Sequence, residues 1–479
     1  MSLPRHALPE SEVLGNVPPV RAVAPADVAA RLRTAPRLAV LDDDPTGTQT
    51  VKDVPVLTTW TVDDLRWALR QDSPAFFVLT NTRSLAPEDA AARNREVARA
   101  LHQASEAEDV PYVIASRGDS TLRGHFPLET DVLAQELEAN GAAPDGVVLV
   151  PAYIEAGRLT VGSTHWMRTP DGLLPVGESE FAKDATFGYA ASSLPEWVEE
   201  KTAGRVPAAD VLRITLTDLR TGGPDRVARL LAGLRDGATA VVDAVCDDDL
   251  RVLALAAAEA ETRGTRLLYR VGPSFVRARA GQSAHPPLTA PELAGLRAEG
   301  DHGLIVVGSH VSLTTRQLNR LREDVTDLTE FELDVARLLD PAARDAHIQE
   351  TATAAAAAMG TSDTVVRTTR AVVTAADPDE SLAISRSVSA ALVETVRLIT
   401  AARRPAFVVA KGGITSSDTA THGLRIRRAW ARGTLLPGIV SLWQPTDGPA
   451  TGVPYIVFAG NVGDEDALSD ALTLLRSAA

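Results

Sequence analysis

The chain of 479 residues has one cysteine, Cys246, and four lysines, Lys52, Lys183, Lys201 and Lys411. A single thiol excludes an internal disulfide and any zinc or iron–sulfur site built from several cysteines. No apolar run reaches 18 residues, so nothing reads as a membrane-spanning helix. The opening MSLPRHALPESEVLGN lacks the charged-then-apolar order of a signal peptide, and the expected location is cytoplasmic. Neither G-x-x-x-x-G-K-[ST] nor G-x-G-x-x-G occurs, which removes the common P-loop and Rossmann readings without excluding a nucleotide. Positive charge is also short: 48 Lys and Arg against 63 Asp and Glu give a formal charge of −15. An acidic surface repels phosphate backbones and anionic lipid, so neither nucleic acid nor membrane is an expected partner. Histidines such as His125, His165, His310 and His422 are scattered without ligand-like spacing, and no side-chain metal site is expected.

What is present has the rhythm of an α/β protein. A chain this long should hold two or three domains at roughly 100–200 residues each. Runs such as LAVLD (38–42), AFFVLTN (75–81), YVIAS (112–116), GVVLVPA (146–152), TAVVDAV (239–245) and RLLYRV (266–271) suit strands buried on both faces of a parallel sheet. Between them lie helix-like segments, one running from Pro87 to Ala104 with proline in its first turn. The stretch 281–303 concentrates Gly, Pro and His, and the alternation restarts at LIVVGS (304–309), TVVRTT (364–369), AFVVAKG (406–412) and YIVFAG (454–460). Two α/β domains with mostly parallel sheets are expected, over 1–285 and 300–479. The alanine run TATAAAAAMG (351–360) predicts a packed helix, since alanine is the best helix former.

In open α/β sheets ligands bind beyond the carboxyl ends of the strands, and polar residues gather there. LAVLD ends on Asp42 and continues as Asp43, Asp44, Pro45, Thr46, Gly47; AFFVLT continues as Asn81, Thr82, Arg83; YVIAS continues as Arg117, Gly118, Asp119, Ser120, Thr121, Leu122, Arg123. An aspartate at such a place could accept a proton from a substrate hydroxyl or hold Mg²⁺. Arg83, Arg117 and Arg123 could clamp a carboxylate with their guanidinium forks, or pair with the neighbouring aspartates instead. The later strands end on a different chemistry: Gly308-Ser309, then Lys411-Gly412-Gly413-Ile414-Thr415-Ser416-Ser417, then Gly460-Asn461-Val462-Gly463. Glycines let backbone approach a ligand closely and a helix start offers free N–H groups, which suits phosphate. A tight turn with an ordinary Ser/Thr cap is the plainer alternative. Lys411 beside two glycines hints at a need for a compact point charge.

Together, Asp42–Gln49, Ser116–His125, Lys411–Ser416 and Gly460–Gly463 resemble the four-carbon acid sugar kinase family, over nearly the whole chain and in the same order. The resemblance implies an N-terminal domain that binds the sugar acid and a C-terminal nucleotide-binding domain. It implies phosphoryl transfer from ATP, with Mg²⁺, to the terminal hydroxyl of a four-carbon or branched sugar acid such as a tetronate or 3-oxo-tetronate. It implies Asp43 and Asp119 as catalytic candidates, and Asp44, Thr46, Asn81, Arg83, Arg117, Ser120 and Arg123 as substrate contacts. Ser309, Ser312, Lys411, Gly412, Gly413, Thr415, Ser416, Gly460, Asn461 and Gly463 are the implied nucleotide contacts. The expected partners are the small acid and ATP, and the resemblance is consistent with a homodimer. Gly118 stands where the family commonly has serine, and the insert His165–Tyr189 is longer than in the shortest members, which bears on the choice of acid. Two other readings are another two-domain nucleotide-dependent enzyme and a non-catalytic sugar-acid-binding protein.

Overall fold

Continuous apolar runs become strands where both faces are covered, and most of those named above do so here. The computed structural model describes residues 6–477 except 297, 301, 372, 374–376, 438 and 439. It divides into two units, Met1–Ala284 and His285–Ala479.

The N-terminal unit contains β1 (Arg37–Asp42), β2 (Val54–Leu57), β3 (Ala75–Leu79), β4 (Tyr112–Arg117), β5 (Gly146–Val150), β6 (Arg158–Val161), β7 (Thr164–Thr169), β8 (Gly172–Pro175), β9 (Leu212–Ile214), β10 (Ala238–Val242) and β11 (Leu267–Val271). Eight of these pair in parallel in the order β2-β3-β1-β4-β11-β5-β10-β9. On one face Ala39, Leu41, Phe76, Val78, Ile114 and Leu268 pack under Leu65, Val97, Leu101 and Leu133 of the flanking helices. The helix beginning at Pro87 extends to Glu108, where Asp109 closes it in a left-handed conformation. From β1 the chain builds β2 and β3 on one side and β4 on the other. The order therefore reverses at β1, and the connections leave a crevice at its carboxyl end. In register, Asp42 lies opposite Leu79 and Arg117, so three loops begin at one level.

The inserted segment forms an antiparallel flap of β6, β7 and β8. Its core of Leu159, Trp166 and Leu173 is capped by Leu8, Val13 and Leu14 from the start of the chain. Leu8 and Leu173 exchange two backbone hydrogen bonds of 2.8 Å, and Arg168 pairs with Glu10. On its other side the flap is tied to the end of β10, where Thr160 and Ala244 bond backbone to backbone at 2.9 and 3.0 Å.

The C-terminal unit contains β12 (Leu304–Val307), β13 (Leu328–Leu333), β14 (Asp363–Thr368), β15 (Val408–Lys411), β16 (Arg428–Thr434), β17 (Val440–Pro445) and β18 (Tyr455–Phe458). Parallel pairing runs β13-β14-β12-β15-β18, and β17 and β16 continue it antiparallel. Here the order reverses at β12, just before Gly308-Ser309. The alanine run lies in the helix Arg344–Ala358, as its composition predicts. Ile305, Val365, Phe407, Val409 and Ile456 share a core with Leu318, Leu321, Leu468 and Leu472 of two covering helices. Among the described residues no helix is long and apolar enough to cross a membrane.

Phe407 is 1% exposed, with its ring filling the space beside Gly303. Phe407→Ala should cost about 3–5 kcal/mol. Urea unfolding followed by circular dichroism checks this, and a loss below about 1 kcal/mol would mean that the core closes over the gap.

Candidate functional site

At the end of β1 two consecutive carboxylates leave water. Asp42 is fully buried; its Oδ1 accepts hydrogen bonds from Arg117 Nη1 at 2.8 Å and from the Asp44 amide at 3.1 Å. Its Oδ2 occupies the space where a Cβ on Gly47 would stand, 1.6 Å away, which is why position 47 tolerates no side chain. Burial pushes the Asp42 carboxyl up to about 6, against the pull of Arg117. Asp43 is 3% exposed and neither of its oxygens accepts a hydrogen bond. Burial pushes it up to about 6 as well; Arg83 and Arg270 oppose the rise and Glu129 adds to it. A buried carboxylate without hydrogen bonds, poised near neutrality, is what a general base needs. Asp44 is instead locked in a local turn, accepting from the Thr46 amide at 2.8 Å and the Thr46 hydroxyl at 2.5 Å while pairing with Arg83.

The loops after β3 and β4 fold over this pair. Asn81 takes a left-handed conformation at φ 51° and its amide bonds the Asp42 carbonyl at 3.1 Å, which brings Arg83 across. Arg83 Nη1 then lies 3.8 Å from Asp43 Oδ1 and 4.0 Å from Asp119 Oδ1. Asp119 Oδ2 accepts from Arg123 Nε at 2.7 Å and from the Thr121 hydroxyl. Burial would raise the Asp119 carboxyl, but Arg83 and Arg123 outweigh it and hold it below the usual carboxylate range. Arg123 also lies 3.6 Å from Asp184 of the insert. Ser120 is buried, and its carbonyl accepts from His165 Nε2 of the flap at 2.8 Å. The structure thus brings all nine expected residues of this unit to one place, but each of the three expected arginines is already engaged by an aspartate.

Two further cations were hidden in the sequence. Arg270 sits near the end of β11, inside the run read as an apolar strand, and donates through Nη1 to Glu129 Oε2 at 2.6 Å and Ser116 Oγ at 2.7 Å. Glu129 is itself buried and also accepts from the Thr82 hydroxyl at 2.5 Å and Asn94 at 3.3 Å. A charge within a buried strand was the available signal for this pair. Arg158, from the flap, has a buried Nε with no hydrogen-bond partner; burial depresses its basicity, while Asp119 and Tyr153 favour its charge.

In the C-terminal unit the three glycine turns converge. A Cβ on Gly308 would stand 2.2 Å from Thr415 Oγ1, one on Gly460 would stand 2.3 Å from Ser309 Oγ, and Gly412 has φ +130°. Nothing lies within 4 Å of where a Cβ on Gly413 would point, so that backbone face is open. The helix that follows, Gly413–Asp418, has six residues and passes into the π-helical turn Thr419–Gly423. Ser312 begins the helix Ser312–Asp324 and is exposed, as is Asn461, while Gly463 takes φ +82°. Two expectations change. Lys411 does not present its ammonium to a ligand: it is 0% exposed and donates to the carbonyls of Ala459 at 2.8 Å and Val462 at 3.5 Å, with Nζ 3.5 Å from the Phe458 ring centroid. Burial pulls it down to about 7, and its role is to hold the Gly460–Gly463 turn. Ser416 likewise turns inward, donating to the carbonyls of Ala410 and Gly412 at 2.7 Å. Arg370 also reaches these loops, bonding the Ser309 carbonyl and the Thr315 hydroxyl. Beside the turns a cavity of about 220 Å³ is walled mainly by Val335, Ile384, Val388, Leu392 and Ile414, with Gly308 and Thr415 at its edge.

Asp43 binds its proton more tightly folded than unfolded. Its contribution to stability is therefore most favourable below the ordinary carboxylate range and is lost as pH climbs to about 6. Asp43→Asn should stabilise the protein at pH 8 by on the order of 2–3 kcal/mol and leave it unchanged near pH 3.5. Parallel urea melts at the two pH values, wild type against variant, read this difference directly; an equal effect at both would refute the raised carboxyl.

Residues 38–279 match the model of a sugar-binding N-terminal domain and residues 304–468 that of a nucleotide-binding C-terminal domain. A D-erythronate kinase of Heliobacterium modesticaldum is 27% identical over 267 residues, which are 55% of this chain and 54% of that protein, so the match spans about half of the curated relative. The Haemophilus influenzae protein HI1011 superposes with a TM-score of 0.63 at 19% identity, covering 91% of this chain and 100% of that one. A Salmonella typhimurium LT2 protein gives 0.64 at 18% identity, with 91% and 98% covered. These two likenesses concern the fold alone. With both of its domain models matched in order, the chain belongs to the four-carbon acid sugar kinase family.

Proposed function

We propose that this protein is an ATP-dependent kinase that phosphorylates the terminal hydroxyl of a small sugar acid, a tetronate, 3-oxo-tetronate or branched relative. The observation that supports it most is the state of Asp43: buried, without a hydrogen bond, and pushed up to about 6. In the proposed step the acceptor hydroxyl gives its proton to the Asp43 carboxylate. Its oxygen forms a bond to the γ-phosphorus, and the bond from that phosphorus to the bridging oxygen breaks, releasing ADP. Asp119, held ionised by Arg83 and Arg123, accepts a hydrogen bond from a neighbouring hydroxyl and fixes the acceptor's orientation. Phosphoryl transfer of this kind depends on positioning and charge stabilisation more than on covalent chemistry.

The C-terminal unit would hold the nucleotide. Its cavity of about 220 Å³ has aliphatic walls that suit the flat base of a nucleotide. The phosphates would then lie along the open backbone at Gly413, beside the hydroxyls of Ser309 and Thr415 that pack against Gly460 and Gly308. Among the described residues no three or more His, Cys, Asp or Glu side chains group to hold a metal ion. Mg²⁺ therefore fits as an ion carried on the nucleotide's phosphates, where it would offset their charge.

Incubation with Mg-ATP and D-erythronate, D-threonate or a 3-oxo-tetronate should release ADP in proportion to phosphorylated acid; acid binding without ATP consumption would leave a binding protein instead. Asp43→Asn should lower kcat by about 10²–10⁴. The wild-type rate should rise as pH climbs through about 6, where Asp43 ionises, and the variant's residual rate should lack that limb. Wild-type turnover in Asp43→Asn would remove the assigned base.

A further inference from the structure

A sugar acid brings its own negative charge to a site already lined by Asp43, Asp44 and Asp119, so it needs a cation that no carboxylate has claimed. Arg83, Arg117 and Arg123 are each paired with an aspartate, and Arg270 is paired with Glu129. Arg158 of the flap is different. Among the described residues it forms no ion pair: Nη1 donates to the Ala156 carbonyl, and Nε is buried without an acceptor. A partly buried guanidinium with no counter-ion is costly unless an anion completes it.

The strand that carries Arg158 turns it toward the site. Alternate residues of a strand share a face, so Leu159 and Val161 lie on one side of β6 and Arg158 and Thr160 on the other. Leu159 and Val161 pack with Trp166, Leu173 and the leucines from the start of the chain. On the opposite face the Thr160 hydroxyl bonds His165 Nδ1 at 2.9 Å, and His165 Nε2 meets the Ser120 carbonyl at 2.8 Å. Arg158 therefore stands on the face that meets the loop after β4. Its backbone exchanges hydrogen bonds of 2.9 and 3.0 Å with Tyr153, whose hydroxyl accepts from Gln49 Nε2 at 3.2 Å in the loop after β1. The flap arginine is thus tied to both loops that carry the acids. Burial depresses its basicity while Asp119 and Tyr153 act in the opposite direction, so it lies within electrostatic reach of the Asp119 carboxylate.

We propose that Arg158 is the receptor for the carboxylate of the small acid, and the residue by which the site tells a sugar acid from an uncharged relative. Nε and Nη2 form one edge of a guanidinium, two parallel donors that match the two oxygens of a carboxylate. In Arg158 that edge donates to nothing among the described residues, while the Ala156 carbonyl holds Nη1. The bound carboxylate supplies the missing counter-ion, and the acid's hydroxyls extend from it toward Asp119. This rests on the sugar-acid reading above.

Calorimetric titration with D-erythronate and with its uncharged amide, both without nucleotide, tests it. The wild type should favour the acid by about tenfold or more. Arg158→Met should weaken the acid about 10–100-fold, the worth of charge-assisted hydrogen bonds, and leave the amide within about threefold. Removing Arg158 strands no carboxylate, so this variant should keep the wild-type circular dichroism spectrum. Arg158→Lys retains the charge and loses the fork; it should weaken the acid about tenfold, and it carries the test if Arg158→Met does not fold. A wild type that binds acid and amide alike overturns the proposal, as does a folded variant that keeps the wild-type preference. Equal losses for acid and amide would make Arg158 a structural part of the flap, and the proposal falls then too. If the wild type binds neither D-erythronate nor D-threonate, the sugar-acid reading itself falls and Arg158 with it.

Discussion

Two adjacent carboxylates at the end of a strand covered on both faces are the constraint around which the N-terminal unit is organised. Removing ionised groups from water costs several kcal/mol each unless charge and hydrogen bonds compensate. At Asp42 the compensation is direct, from Arg117 on the neighbouring strand. At Asp43 it is only at a distance, from Arg83 and Arg270, and the carboxylate retains an elevated proton affinity. The topology makes this arrangement possible: the order reverses at β1, so loops from both sides can bring guanidiniums over its end. Gly47 and Gly124 belong to the same solution, since any side chain at either would press on an aspartate oxygen.

The C-terminal unit solves a different problem with different means. Its turns bring together backbone, hydroxyls and glycines, and its buried lysine holds a turn by its carbonyls. An aliphatic cavity then stands beside open main chain. One unit offers acids and arginines, suited to a hydroxylated anion; the other offers apolar surface and open main chain at Gly413, suited to a nucleotide. That division of chemistry matches the two domain models.

The strands that were legible in the sequence are the continuous apolar ones. β13, LTEFEL, and β16, RAWARGT, alternate polar and apolar residues, and their burial is correspondingly partial or alternating. A search for unbroken hydrophobic runs passes over such strands, and over the four residues of β2. The site's members were legible because loops after parallel strands are where polar residues collect. Their partners were not: nothing local to Arg117 or Arg123 says whether the guanidinium will meet a ligand or an aspartate. Arg270 was concealed for the opposite reason, one charge in a run otherwise read as core. Lys411 was misjudged because its neighbours in sequence are glycines, whereas its neighbours in space are the carbonyls of a turn some fifty residues later.

The flap that carries Arg158 and His165 closes its small core with Leu8, Val13 and Leu14, and Gly172 lets the Leu8 carbonyl come close enough to pair. Leu8, Val13 and Leu14 are therefore bricks in a wall whose inner side bears on Asp119 and Ser120. Trimming the amino end, or crowding it with a bulky fusion, would loosen a surface more than a hundred residues downstream, and a recombinant form of this protein is better tagged elsewhere.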